Sequence, residues 1–257
     1  MPAPKVESKI FTAVVLDFET GGLNCTDCAC TQIAMQAVRM DTWEVLERYE
    51  RYIAPYDKQD VGAVPKRKVI KTRHTLAQEE AGVPMKYEQE ALNYSAITIE
   101  MLNTRGVEFK EVAADVIAFA KRNTLSKGHQ CKPILIGQNI GFDVGFLQQM
   151  INYAGLTKEF EKVFAGTNDF YGNFQPHYID TIDLGRFAFA HLPEVTSYKL
   201  EILSQRLGIE LDDAHDAGAD VTATLNVAVV CSGRLRQERG EGIILRKKEK
   251  TRNHFKI

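Results

Sequence analysis

The chain has 257 residues, of which 44% are hydrophobic, and its formal net charge is -2. These values are ordinary for a soluble globular protein and argue against one that coats nucleic acid through overall positive charge. The length allows one large domain with a tail, or two small domains. No apolar run approaches the roughly 20 residues needed to cross a bilayer, so we expect no membrane association. The lack of an apolar leader in residues 1–10 and the odd number of cysteines, five, favour a reducing, cytoplasmic compartment.

Three strands are predicted near the start of the chain. Residues 11–16 are short, apolar and rich in β-branched side chains, which is typical of a strand covered on both faces. Residues 32–39 and 45–53 form two further strands around a polar turn. Three consecutive strands predict an antiparallel meander that feeds a mixed sheet.

The later part of the chain is mostly helical. Residues 108–122 show the clearest amphipathic pattern, with Val112, Val116 and Phe119 on one face. Strands followed by helices indicate an α/β domain. We read 55–87 as an elaborated loop with one helix and 166–177 as a second loop. The other predicted elements are strands at 133–137 and 178–182 and helices at 95–102, 142–154, 183–190, 200–206 and 214–230.

The last 25 residues differ in composition from the rest. Residues 233–257 contain nine Lys or Arg against three Glu. We therefore divide the chain into a domain at 1–232 and a basic tail at 233–257. A solvated terminus and a segment that contacts phosphates or a protein partner both fit this composition.

Two carboxylates follow the first predicted strand. Asp17 and Glu19 are two positions apart, so in an extended chain they point to the same face. Two like charges there repel unless a cation joins them, and hard cations such as Mg²⁺ prefer oxygen ligands. The pair alone is weak evidence for a metal site, because surface Asp-x-Glu pairs are common.

Two further acids occur where predicted helices begin. Asp143 lies between a buried strand and an apolar helix, where a carboxylate also complements the helix dipole. Asp220 falls in the first turns of the last long helix, and His215 precedes it by five residues. Each feature alone has a structural explanation, as a helix cap or a solvated acidic turn.

Taken in order, these segments resemble the DnaQ-like exonucleases of the DEDDh group, which include proofreading subunits and domains of bacterial DNA polymerase III. The motifs are DFETGGL at 17–23, NIGFDVGFL at 139–147 and HDAGADVTAT at 215–224. Supporting matches are YIDTIDLGR at 178–186 and the helix around 199–209. The resemblance covers roughly residues 11–230. His215, rather than a tyrosine four residues before the last aspartate, identifies the h-type.

The resemblance implies a ribonuclease H-like fold, with a mixed central β-sheet flanked by helices, and a metal-dependent 3′→5′ exonuclease. It would release nucleoside 5′-monophosphates from single-stranded 3′ ends, of DNA in preference to RNA, and a separate polymerase chain is a candidate partner. His215 would act as general base. An exoribonuclease and a binding module without catalysis are the alternatives. Two Mg²⁺ or Mn²⁺ ions would be held by Asp17, Glu19, Asp143 and Asp220.

The same resemblance implies a set of substrate contacts. Leu23 would wedge against the last base, although the residue could instead be part of the core. Gly21 and Gly22 would let the backbone approach the terminal nucleotide closely. The full set is Thr20, Gly21, Gly22, Leu23, Asn139 and Phe142.

Three cysteines, Cys25, Cys28 and Cys30, follow the first motif and have no role in the resemblance. Three thiolates could begin a zinc site. Because no fourth ligand lies nearby in the sequence, packing or loop cysteines are the other interpretation.

Overall fold

A computed structural model describes residues 9–59, 82–189, 191–209 and 216–237. The strands are β1 Thr12–Thr20, β2 Cys30–Arg39, β3 Val45–Tyr52, β4 Ile134–Gly137, β5 Gly166–Asn168, β6 Phe174–Pro176 and β7 Tyr178–Asp180. Five of them form a mixed sheet in the order β3-β2-β1-β4-β7, and β5 pairs with β6 in a separate hairpin. β1 is antiparallel to β2 and parallel to β4, which is parallel to β7.

Helices cover both faces of the sheet. The α/β class and the predicted mixed sheet are confirmed, and so is the meander of the first three strands. A short 3₁₀ helix spans His129–Cys131. The α-helices are α1 Gln89–Tyr94, α2 Ile99–Arg105, α3 Phe109–Arg122, α4 Ile140–Tyr153, α5 Thr157–Val163, α6 Thr181–Phe189, α7 Leu200–Leu207 and α8 Ala217–Gln237.

The central strand β1 separates two apolar cores. Val14, Leu16 and Phe18 point into the larger core, which contains the buried faces of α3 and α4. Ala13 and Val15 point the other way and pack against apolar residues of α8. Because side chains alternate along a strand, Asp17 and Glu19 continue the row of Ala13 and Val15. Both carboxylates therefore lie on the face covered by α8.

The single helix predicted at 95–102 is wrong. The chain instead forms α1 and α2, which are separated by residues 95–98. Ser95 ends α1, and its hydroxyl donates to the Ala91 carbonyl at 3.2 Å. Thr98 starts α2 by accepting a hydrogen bond from the Met101 amide at 3.1 Å. Two cap residues three positions apart are hard to assign from sequence, because Ser and Thr form both kinds of backbone hydrogen bond.

The two predicted loops have different outcomes. Most of the loop predicted at 55–87, including the helix expected in it, lies outside the described residues. The loop predicted at 166–177 contains the β5–β6 hairpin. The Asp169 carboxylate holds the turn of this hairpin by accepting from the backbone amides of Tyr171 and Asn173. Strands of three residues are too short to show the period-two pattern that identifies a strand in sequence.

The strand predicted at 178–182 is shorter in the structure. It ends at Asp180, and α6 begins at the next residue, Thr181. Next to it, Phe174 of the hairpin is buried against Phe160 of α5. The hairpin is thereby attached to the larger core.

The last helix is longer than predicted. α8 continues to Gln237 and so crosses the predicted boundary between domain and tail at 232/233. Arg236 stacks over the Trp43 ring at 5.4 Å and donates to the Met40 carbonyl at 2.6 Å. These contacts attach the end of the helix to the β2–β3 turn. Residues 238–257 of the predicted tail lie outside the described residues. Among the described residues, no helix is long and apolar enough to span a membrane.

Candidate active site

Three carboxylates from two separate elements meet at one edge of the sheet. Asp17 and Glu19 extend from the end of β1, and Asp220 comes from the first turn of α8. One oxygen of each lies within 4.8 Å of the other two. Side chains alternate along β1, so Asp17 and Glu19 both point to the face of the sheet that α8 covers. The acids of the two elements therefore meet on one side of the sheet.

Asp143 reaches the same edge from α4 and is almost fully buried, at 3% exposure. Its Oδ1 accepts a hydrogen bond from the Phe18 amide at 3.0 Å. The carboxylate therefore links α4 to β1 between Asp17 and Glu19. Asn139, which precedes α4 with a left-handed φ of 55°, donates from its backbone to Asp180 at 3.1 Å. This contact fixes the start of the helix that carries Asp143.

The carboxylates at this edge resist ionisation. Burial raises the pKa of Asp17 well above its usual range, and the charges of Asp143, Glu19 and Asp220 raise it further. Burial, followed by the charges of Asp220 and Asp143, raises the pKa of Glu19 to about 8. The pKa of Asp143 is also raised to about 8, chiefly by burial, although the Phe18 amide opposes the shift. A group of buried like charges of this kind favours a bound cation.

The donor set fits a hard divalent cation. Carboxylate oxygens are the ligands that Mg²⁺ and Mn²⁺ prefer, and three of them within reach of one point can share an ion. Asp143 stands outside that group of three. Its hydrogen bond to Phe18 uses one oxygen and leaves the other available.

An open cleft of about 870 Å³ exposes these acids to solvent. Leu23 lines the cleft and is 84% exposed, so the alternative that it is a core residue is wrong. Thr20, Gly22, Asn139 and Phe142 also line the cleft. Five of the six predicted substrate contacts therefore share one cavity with the carboxylates.

Gly21 is the predicted contact that does not line the cleft. A Cβ at this position would come within 2.6 Å of the Lys86 carbonyl and 3.2 Å of Tyr87. At Gly22 a Cβ would meet Cys28 and Glu88. The segment just before α1 thus occupies the space that a side chain at either glycine would need. Packing within the protein accounts for both glycines.

His215 lies outside the described residues. Its neighbour Asp216 directly precedes α8 and accepts a hydrogen bond from the Gly218 amide at 2.8 Å. The backbone amide of Asp220 donates to the Asp216 carbonyl at 2.9 Å. The first turn that carries Asp220 is therefore attached directly to the residue after His215.

The three clustered cysteines are packing residues in this structure. Cys28 and Cys30 are buried, and the Cys30 thiol donates to the Phe146 carbonyl at 3.8 Å. Burial raises the pKa of Cys30 to about 12, which disfavours the thiolate that zinc requires. Within the described ranges, the one group of three or more possible metal ligands is Asp17, Glu19 and Asp220. These observations favour packing over a zinc site.

Several cleft residues were not predicted from the sequence as site residues. Tyr94, at the end of α1, is 64% exposed, and its pKa is raised by burial and by the charges of Glu201, Asp220 and Glu19. Arg186, Tyr198 and Lys199 also line the cleft. Arg186 and Lys199 fall in segments that already resembled the family, a signal that could have identified them. Nothing in the sequence marks Tyr94, because the fold alone brings α1 to the cleft.

Comparison with known proteins places these residues in a family. Residues 60–228 match the exonuclease family RNase_T, which is well over half of the chain. The matched segment contains Asp143, His215 and Asp220 and begins after Asp17 and Glu19.

Curated relatives are similar over much of this chain but are much longer. The PolC-type DNA polymerase III of Bacillus cereus is 28% identical over 213 residues, which cover 83% of this chain and 11% of the polymerase. Exodeoxyribonuclease I of Haemophilus influenzae is 29% identical over 150 residues, which cover 54% of this chain and 28% of that protein. The chain thus matches about a tenth to a quarter of the length of these relatives.

A solved structure supports the fold. Exonuclease I of E. coli in complex with a dT13 oligonucleotide superposes with a TM-score of 0.59 at 20% identity, over 88% of this chain and 42% of that one. The predicted ribonuclease H-like architecture is confirmed by this likeness and by the strand order of the sheet. The chain therefore belongs to the RNase_T exonuclease family, with the DnaQ-like fold that its motifs predicted.

Proposed function

We propose that this protein is a 3′→5′ exonuclease that hydrolyses the terminal phosphodiester of single-stranded DNA and releases nucleoside 5′-monophosphates. The observation that carries the proposal is the convergence of Asp17, Glu19 and Asp220 within 4.8 Å on an open cleft. The family match supports the same reaction class.

The metal ligands in this proposal are Asp17, Glu19, Asp143 and Asp220. Two divalent ions, Mg²⁺ or Mn²⁺, would stabilise the charge on the attacking and leaving oxygens. The chain's own contribution is to hold the four carboxylates rigidly. β1 and α8 fix three of them, and the Phe18 amide orients Asp143. Burial and mutual repulsion disfavour four free carboxylates, so at pH values near the raised pKa values a bound divalent ion would replace bound protons.

His215 is the general base in this proposal. It is two positions before α8, the helix that carries Asp220. A histidine with an ordinary pKa near 6.5 is neutral at pH 7.5 and can accept a proton from the attacking water. The h-type resemblance of the 215–224 motif supports this assignment.

The cleft has the chemistry of a single-strand site. Leu23 and Phe142 offer apolar contact, Tyr94 and Tyr198 offer rings on which bases can stack, and Lys199 offers a charge for phosphate. Base stacking and backbone contacts of this kind do not depend on sequence. We favour DNA because the similar curated relatives are a DNA polymerase and an exodeoxyribonuclease. Association with a separate polymerase chain stays a prediction.

The test compares 5′-labelled DNA and RNA oligonucleotides of one sequence, incubated with the protein and Mg²⁺, Mn²⁺ or EDTA. We expect a one-nucleotide ladder on DNA that requires the metal. Asp17→Asn should lower the rate by about 10³-fold, since the loss of a shared metal ligand removes about 4 kcal/mol of transition-state stabilisation. Glu90→Gln is the matched control, because Glu90 is a carboxylate of α1 in the same cleft but outside the group of three possible metal ligands.

Each outcome decides between the candidates. A ladder on RNA alone would keep the mechanism and change the substrate to RNA. A ladder that persists in Asp17→Asn would come from a contaminant or from different residues and would refute the site. No metal-dependent shortening of either strand would favour a binding module without catalysis.

A further inference from the structure

A second concave surface lies at the opposite edge of the sheet from the acids. It is a groove of about 760 Å³ between the end of α3, the segment 124–132 and α5. We call it the lysine groove, because Lys121, Lys127, Lys132 and Lys162 line it. The volume falls in the range of pockets that bind small ligands or individual side chains of a partner.

The lysine groove is remote from the cleft. The hydroxyl of Ser126, one of its residues, accepts a hydrogen bond from the Ile10 amide at 2.9 Å, just before β1 begins. Lys132 lies just before β4 begins. Asp17 and Asn139 lie at the other ends of these two strands. Asp17 is five positions after Thr12 in β1, which corresponds to roughly 17 Å. A ligand in the groove would not enter the cleft.

The charge of the groove is unbalanced. Among the described residues that line it, four are lysines and one, Glu159, is a carboxylate. In the described parts of the chain, Lys121, Lys127 and Lys162 have neither an ion pair nor a side-chain hydrogen bond. Lys132 is oriented by its hydrogen bond to the Glu161 carbonyl at 2.9 Å. The groove therefore presents positive charge that the described residues of the chain do not neutralise, and such a surface suits an anionic ligand.

The floor of the groove is aliphatic. Ile117, Leu125 and Val163 line it, and Leu125 is 42% exposed. No aromatic ring is present among the described lining residues, so nucleic-acid bases would find nothing to stack on. An aliphatic floor instead suits the buried side chain of a peptide, while the lysine rim suits carboxylates beside it.

We propose that the lysine groove binds an acidic peptide segment of a partner protein, with one or two large apolar side chains inserted between Ile117, Leu125 and Val163. The lysines would attract the segment and set its specificity, and the apolar contact would hold it. This proposal is independent of the reaction in the cleft. It gives the protein a docking surface that leaves the cleft open to substrate.

The test uses a fluorescein-labelled octapeptide with a central Leu-Phe pair flanked by six acidic residues, titrated with the full chain in fluorescence anisotropy. The variant Lys127→Glu/Lys162→Glu should weaken binding at least about tenfold, because attraction becomes repulsion at two sites. Lys158→Glu, a lysine of α5 outside the groove, is the matched control and should change binding less than about twofold. Leu125→Ala should weaken binding several-fold without changing the charge.

A charge-swap experiment distinguishes a change in the charge of the groove from misfolding of the double variant. The same peptide with lysines in place of its acidic residues should bind the double variant better than the wild type. Equal binding of the acidic peptide to the wild type and the double variant would overturn the proposal. Displacement of the peptide by a dT10 oligonucleotide, through the same lysines, would also overturn it and would make the groove a nucleic-acid site.

Discussion

Replacing Glu19 by glutamine should stabilise the metal-free protein. The folded state raises the pKa of this carboxyl from 4.5 to about 8, mainly by burial and then by Asp220 and Asp143. In the unfolded chain the group ionises at its ordinary pKa, so between these two values the folded state holds the extra proton. The stability of the wild type must therefore fall as pH rises from about 4.5 to 8, and the loss is complete above the folded pKa.

The magnitude follows from the shift. Each pKa unit corresponds to about 1.4 kcal/mol, so the penalty from Glu19 reaches about 3 kcal/mol at pH 7 and about 5 kcal/mol above pH 8. Glutamine resembles the protonated acid and avoids this penalty. For a chain of this size, 3 kcal/mol corresponds to a rise in Tm of roughly 6–12 °C.

The assay is urea unfolding of wild type, Glu19→Gln and the control Glu90→Gln in EDTA at pH 4.5, 7 and 8.5. We expect the glutamine variant to exceed the wild type by about 3 kcal/mol at pH 7, with little difference at pH 4.5. With Mg²⁺ the difference in unfolding free energy between the variant and the wild type should shrink or change sign, because metal binding to the folded state stabilises the wild type. A variant that is less stable than the wild type in EDTA at pH 7 would refute the reasoning that burial and the neighbouring carboxylates disfavour an ionised Glu19.

Three further predictions concern other residues. Leu23→Ala should change the free energy of unfolding by no more than about 0.5 kcal/mol, because the side chain is 84% exposed, yet raise the KM for single-stranded DNA several-fold; unchanged KM would remove Leu23 from the substrate site. Gln149→Leu should lower the free energy of unfolding, measured by heat or urea, by about 2–4 kcal/mol. The buried amide accepts from the Tyr56 hydroxyl at 2.8 Å and donates to the carbonyls of Cys25 and Cys28, and the variant would lose all three hydrogen bonds. An unchanged free energy of unfolding would contradict that network. His215→Gln should lower kcat by about 10²–10⁴-fold at pH 7.5 without lowering Mg²⁺-dependent stabilisation, and equal loss of both would indicate a metal ligand rather than a base.

The class of the fold and most of the acid cluster could be predicted from the sequence alone. β1 is buried on both faces, so its apolar run was visible, and the position of Asp17 and Glu19 on one face followed from the alternation of side chains. The long helices α3, α4 and α8 were visible from their apolar patterns. The three motifs and their order indicated the family, because each motif is local in the chain and can be recognised without knowledge of its neighbours in space.

Which parts of the chain surround the acids depends on how distant segments pack together in the folded protein. Tyr94 reaches the cleft from α1, and Gly21 packs against Lys86 rather than lining the cleft. Helix α1 and its separation from α2 were missed, because the boundaries depend on which backbone group each Ser or Thr bonds. The lysine groove is likewise assembled from α3, a loop and α5. Contacts between segments far apart in the chain leave no periodic signal in the sequence, so packing alone decides them.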